Sequence, residues 1–232
     1  MFNSSSLNII KSLAKCTTYF LTETNYPWDG AIQIAVAPEH KMKFPLQIRI
    51  PGWAQNEPVP GKTYQYTDNN TDTFTINVNG KPAAFEMQSG YAVIDREWEK
   101  GDVVALNLPM SVRRVIAIDS IKQDKNRVAF QRGPLVYCFE HADNKGKAMN
   151  FFVPAKTVFT TQYNNYLLGG VVTLQANAPV VDASADGTSV VTVNKKIVAI
   201  PYYSWANRGS GEMQVWVPEK IVDIKIGANN KE

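Results

Sequence analysis

Cysteine and histidine are scarce in this chain of 232 residues: Cys16 and Cys138, His40 and His141 are all there are. No C-x-x-C pair and no His/Cys cluster occurs, so a thiolate-rich zinc or iron-sulfur site cannot be assembled from these residues alone. The histidines stand beside Glu39 and Glu140 and read as loop or strand-edge residues rather than general bases. A charge excess of one sign is also missing. Lys and Arg number 24 against 21 Asp and Glu, a net of +3, which lacks the basic footprint of a nucleic-acid binder. No run reaches the roughly 18 apolar residues that cross a bilayer, and the opening MFNSSSLNIIKSLAK lacks the basic, apolar, small order of a secretory signal. A soluble chain is expected. Its compartment stays open, with periplasmic or extracellular placement if a longer precursor carries a signal peptide.

What is present is apolar surface to bury: 44% of residues are hydrophobic and 11% aromatic, which excludes a disordered chain. Domains usually hold about 100 to 150 residues, so this length suggests two. The period of the apolar residues sets the class. Ile32, Ile34 and Val36 alternate with polar or small residues, as do Leu46, Ile48 and Ile50, then Phe74, Ile76 and Val78. Val104, Leu106, Leu108 and Met110 repeat the pattern, followed by Met213, Val215 and Val217, and by Val222, Ile224 and Ile226. Asn79-Gly80 signals a type I′ hairpin; Lys100-Gly101-Asp102, Gly169-Gly170 and Asp186-Gly187 are further breakers. Short strands with regular breakers predict an all-β protein of two consecutive antiparallel β-sandwich domains. The polar stretch DSIKQDKN marks the seam, giving domains over 1–118 and 119–232. Residues 6–15 leave two alternatives. Leu7, Ile9, Ile10, Leu13 and Ala14 fit a 3.6 period with Ser6 as a cap, but so short a helix is marginal and the segment reads equally as an edge strand.

Candidate chemistry is thin. Asp95, Glu97 and Glu99 share one face of an extended strand, as paired carboxylates of a hydrolase would, yet they sit beside Arg96 and Lys100 as on a solvated edge. No G-x-S-x-G elbow, H-E-x-x-H or phosphate-cradling loop occurs. Tyr26, Trp28, Trp53, Tyr202, Tyr203 and Trp205 adjoin Pro or Gly corners and are expected to plug the ends of the sandwiches. Tyr64 and Tyr66 lie in GKTYQYTDNNTD, too polar for a core, and are the candidate ligand-binding residues. Arg132 and Arg208, each next to glycine, read as structural clamps.

The series TNYPWDG (24 to 30), LQIRIPGWA (46 to 54), INVNGKP (76 to 82), GYAVIDREWEKGDVVALNLPM (90 to 110), VRRV (112 to 115), RVAFQRGPLVYCFE (127 to 140) and IPYYSWANRGSGEMQVWVP (200 to 218) resembles the C-terminal part of glycoside hydrolase family 127, which contains the β-L-arabinofuranosidases. The resemblance implies two β-sandwiches following a helical-barrel catalytic domain, in which a zinc-bound cysteine thiolate acts as nucleophile and a glutamate as general acid/base. No catalytic residue of that set has a counterpart here, because Cys16 stands alone and Cys138 belongs to GPLVYCFE. The expectation is therefore a non-catalytic accessory region, with no metal or other cofactor of its own and zinc implied for the catalytic domain alone. Its implied partners are the helical-barrel domain, in the same parent chain or as a separate subunit, and a second copy in a homodimer. The alternative is a carbohydrate-binding module for arabinose-containing glycans, acting through Tyr64, Tyr66 or the corner tryptophans. By resemblance residues 3 to 10 become a strand. The stretch NIIKSLAKCTTYFLTET departs from the family pattern, and QNEPVPGKTYQYTDNNTDT reads as an insertion.

Overall fold

In Met42–Arg49 every second residue is exposed while Phe44 and Ile48 are buried, because side chains on a strand point alternately to opposite faces. The same alternation across the chain yields strands joined by turns and short 3-10 segments. The computed structural model describes residues 5–13, 16–68, 70–186 and 188–224, with 5–13 and Cys16 described by backbone alone. In chain order the strands are β1 (Ser5–Leu13), β2 (Cys16–Thr24), β3 (Ala31–Pro38), β4 (Met42–Arg49), β5 (Tyr64–Tyr66) and β6 (Thr75–Val78). There follow β7 (Lys81–Pro82), β8 (Glu86–Gln88), β9 (Tyr91–Trp98), β10 (Asp102–Asn107), β11 (Val112–Ala117) and β12 (Arg127–Arg132). The last are β13 (Leu135–Glu140), β14 (Thr160–Asn164), β15 (Val171–Ala183), β16 (Val190–Pro201), β17 (Met213–Gln214) and β18 (Val217–Pro218). The protein is all-β, with antiparallel pairing between strands.

Two compact units form. The first comprises residues 1–60 and 69–111; the second comprises 61–68 and 112–232. In the first, a six-stranded sheet in the order β1-β2-β3-β10-β6-β7 and a three-stranded sheet β4-β9-β8 enclose one core. Val36, Val78, Val104 and Leu106 come from the larger sheet, Phe44, Ile48, Ile94 and Trp98 from the smaller. Burying each such aliphatic or aromatic side chain contributes about 1.5 to 3 kcal/mol. Asn79 and Gly80, at φ 51° and 76°, make the β6–β7 turn that their identity predicts.

In the second unit one nine-stranded sheet runs β14-β15-β16-β13-β12-β11-β5, with β17 and β18 paired to β13 and β12. Phe130, Tyr137, Phe139, Phe151, Leu174 and Ile197 meet in its core. Phe139 and Phe151 meet edge-on at 5.0 Å between ring centres, the geometry that aromatic quadrupoles favour.

The structure resolves the open alternative near the start. Ser5–Leu13 is a strand, paired with Cys16–Thr24 from Ser5 opposite Thr24 to Leu13 opposite Cys16. A lone short helix has a costly nucleus, whereas the pairing satisfies the backbone groups of both segments. Residues 14 and 15 lie outside the described set, as does Gly187 of the Asp186-Gly187 turn. The expected strand at 222–226 is not formed over its described part, where Ile221–Asp223 is a 3-10 turn; Ile226 lies outside the described residues. The compact units divide at 111/112, seven residues before the compositional seam, because Val112–Ala117 pairs with β12. The polar stretch 61–68 joins the second unit because Val115, Ile116 and Ala117 pair with Tyr66, Gln65 and Tyr64.

Candidate functional site

Tyr64 and Tyr66 share one face of β5, two residues apart. Both rings meet protein partners. Tyr64 stacks on Trp216 with ring centres 5.6 Å apart, and the Tyr66 ring lies 3.8 Å beneath the Arg113 guanidinium. The Tyr66 hydroxyl donates to Gln131 Oε1 at 3.0 Å, and burial pushes it up to about 12. Asp68 anchors the same segment: its carboxylate accepts from Arg113 Nε and, at 3.1 Å, from the Arg114 backbone N–H.

The carboxylates of β9 lie on an open face. Asp95 pairs with Lys43 at 3.3 Å and Glu97 with Lys41 at 3.1 Å across the strands, all four side chains more than half exposed. Such pairs are screened by water and contribute little. His40 is exposed and His141 half-buried, on separate segments. Among the described residues no three His, Cys, Asp or Glu side chains converge as metal ligands do. Cys138 is wholly buried, and burial, followed by the nearby Glu140 and Asp143, pushes its thiol up to about 12, the reverse of what a zinc-bound thiolate needs. The described residues do not fit a thiolate-bound zinc of the kind the resemblance implies.

The most highly organised polar cluster is one that residue spacing does not reveal. Glu140 ends β13 and is 1% exposed. Arg208 donates to Glu140 through one amino nitrogen and grips Asp143 with both, one bond measuring 2.7 Å. The hydrogen bonds it donates to Asp143, and after them those to Glu140, raise the guanidinium well above its ordinary range against the opposing effect of burial. Asn144 continues the cluster, binding both backbone groups of Val198 and the carbonyl of Glu140 at 2.8 to 2.9 Å. The clamp reading of Arg208 describes this geometry, and the partner carboxylates are what sequence alone left unnamed.

These groups fix the segment 202–212. Ala206 adopts φ 67°, a conformation that costs an L-residue roughly 1 to 2 kcal/mol, and its N–H points to Glu140 Oε1 at 3.3 Å. Gly211 has no substitute here, since a β-carbon would lie 2.2 Å from the His141 ring. Glu212 accepts from the N–H groups of Ala148 and Met149 at 2.8 and 3.1 Å. The segment carries three aromatic side chains that do not plug a core, contrary to expectation: Tyr202, Tyr203 and Trp205 are 45%, 62% and 41% exposed. Tyr202 and Trp205 are nearly parallel, at 8° with centres 6.2 Å apart. Tyr26 and Trp53, by contrast, pack against the first core as corner residues should.

Comparison with known proteins matches this architecture to two adjoining domains. The beta-L-arabinofuranosidase GH127 middle domain matches residues 2–110, and the glycoside hydrolase family 127 C-terminal domain matches residues 112–218. A non-reducing end beta-L-arabinofuranosidase of Bifidobacterium longum subsp. longum is 33% identical over 213 residues, covering 83% of this chain and 29% of that protein. A solved family 127 beta-arabinofuranosidase superposes with a TM-score of 0.88 at 32% identity, over 97% of this chain and 35% of its own. The beta-L-arabinofuranosidase of Geobacillus stearothermophilus T6 gives 0.79 at 36% identity, over 92% and 32%. The chain thus spans about a third of the length of these relatives. With both halves matched by successive domains of a single family, the chain belongs to glycoside hydrolase family 127.

Proposed function

We propose that these 232 residues form the non-catalytic β-sandwich region of a β-L-arabinofuranosidase-like hydrolase, and that bond cleavage belongs to a helical-barrel domain beyond them. The carrying observation is the coverage: the middle and C-terminal domains of the family account for residues 2–110 and 112–218, while the relatives are about three times as long. The substrate of the whole protein is then a non-reducing-end β-L-arabinofuranoside, by likeness to the Bifidobacterium enzyme. The role of this region is to support the barrel and to take part in assembly, including a homodimer.

The surroundings of the two buried carboxylates, Glu140 and Asp102, support that reading. Glu140 is neutralised by Arg208, and Asp102 accepts from Asn79 and from the Glu99 N–H at 2.6 and 3.0 Å. Burial raises Asp102, but those hydrogen bonds outweigh it and hold the carboxyl below its usual range. A general acid needs the opposite shift. Expressing the chain with and without a separately produced family barrel, and following hydrolysis of an aryl β-L-arabinofuranoside, tests the proposal. Activity that requires the barrel supports it; turnover by the chain alone overturns it.

A further inference from the structure

We infer that the second unit binds a phosphate group in a cavity of about 130 Å³ between the turn 144–147 and the β15–β16 hairpin. Four lysines line that cavity, Lys145, Lys147, Lys195 and Lys196, against a single carboxylate, Asp182. Like charges gathered around one space repel one another unless negative groups sit among them. Asp182 serves only part of that need. It accepts from Lys195 Nζ and, at 3.2 Å, from Asn150 Nδ2, and the Lys195 hydrogen bond above all holds its carboxyl below the usual range. Among the described residues Lys145, Lys147 and Lys196 enter no ion pair. The nearby carboxylates are engaged elsewhere: Asp143 is gripped by Arg208, and Glu212 accepts from the Ala148 and Met149 N–H groups. Four lysines against one carboxylate leave three positive charges around the cavity.

The backbone that presents these lysines is fastened on both sides. Asn144 bonds both backbone groups of Val198 and the Glu140 carbonyl through its side chain, and its own carbonyl accepts from the Lys147 N–H at 3.2 Å. On the other wall Asn150 donates to the Val181 carbonyl at 3.0 Å. Phe151, Val180 and Ile197, each 7% exposed or less, form an apolar backing. Charges against such a wall are screened less than in open water, so an entering anion gains more from each lysine. The cationic groups select its kind. All are ammonium, compact charges with three donors each, and no guanidinium fork lines the cavity to match the flat edge of a carboxylate. A phosphate carries up to two charges and spreads its acceptor oxygens in three dimensions, where several ammonium groups meet it from different sides. The space is several times the ~30 Å³ share of one water, enough for that group.

This site is independent of the accessory reading, since a chain that hydrolyses nothing can still bind an anion. The test is titration of the whole 232-residue chain at low ionic strength with inorganic phosphate and, separately, with a sugar phosphate, followed by calorimetry and by the phosphorus resonance of the ligand. Saturable binding is expected, weakened by added sodium chloride and reduced about tenfold by Lys147→Gln or Lys196→Gln, the effect of losing one charge-assisted hydrogen bond. Lys100→Gln, at an exposed lysine of the first unit, should leave it unchanged. Tighter binding of the sugar phosphate would make a phosphate ester the ligand, and equal binding would make it free phosphate; either result supports the site. Unaltered thermal unfolding of each variant separates lost binding from lost fold. The proposal fails if phosphate does not saturate at millimolar concentration, if malonate binds more tightly than phosphate, or if Lys100→Gln weakens binding as much as Lys147→Gln.

Discussion

Arg208 donates to the carboxylate of Glu140, a side chain 1% exposed at the end of β13. Removing one partner of such a pair leaves a buried charge without compensation, which costs about 3 to 5 kcal/mol. Arg208→Met should therefore lower the stability of the second unit by about 3 kcal/mol in urea unfolding. Adding Glu140→Gln should recover part of that loss; a double variant as unstable as the sum of the singles would mean that the two residues do not interact.

Cys138, Tyr66 and Tyr137 are each pushed up to about 12, mainly by burial. Their neutral forms are the ones the fold accommodates, so the unfolded chain loses these protons first. The stabilisation is complete below about pH 9, where the unfolded thiol is still protonated, and is lost as pH rises towards 12. Thermal unfolding should fall steeply over that window. In a Cys16→Ser background, disulfide-exchange labelling of Cys138 at neutral pH should proceed at the rate of unfolding; rapid labelling of the native state would contradict its burial.

The strand Tyr64–Tyr66 belongs to the second unit although its sequence neighbours belong to the first. Replacing residues 61–68 by a glycine-serine linker of equal length removes the partner of Val115–Ala117. Hydrogen exchange should accelerate in β11 while the β4–β9 pair keeps its protection. Unchanged protection in β11 would show that β5 contributes no stability there.

Trp98 is wholly buried and donates its indole N–H to the Phe44 carbonyl at 3.0 Å. Trp98→Ala should destabilise the first unit by about 3 to 5 kcal/mol, through lost burial and the cavity left behind. A fall below 1 kcal/mol in chemical denaturation would contradict its place at the centre of that core.

Sequence conveyed most clearly what is local. Alternation in Met42–Arg49 and the Asn79-Gly80 turn were legible because period and backbone preference act over a few residues. The exchange of 61–68 was not. Its two tyrosines lie in a polar stretch, and the residues they pair with, 115 to 117, are remote in the chain, so no nearby pattern announces the partner. The exposure of Tyr202, Tyr203 and Trp205 was hidden for another reason: beside proline and glycine they have the composition of a core corner, and nothing in their spacing shows that their rings are left at the surface. Glu140 likewise follows an apolar run with nothing to mark its burial.

The proposal that bond cleavage belongs to a domain beyond these residues is tested most directly by turnover of an aryl β-L-arabinofuranoside by the purified 232-residue protein supplied with zinc. The account predicts a rate no higher than that of buffer with zinc. Catalytic turnover abolished by substituting one of the chain's own carboxylates or Cys138, in a variant that remains folded, would contradict it.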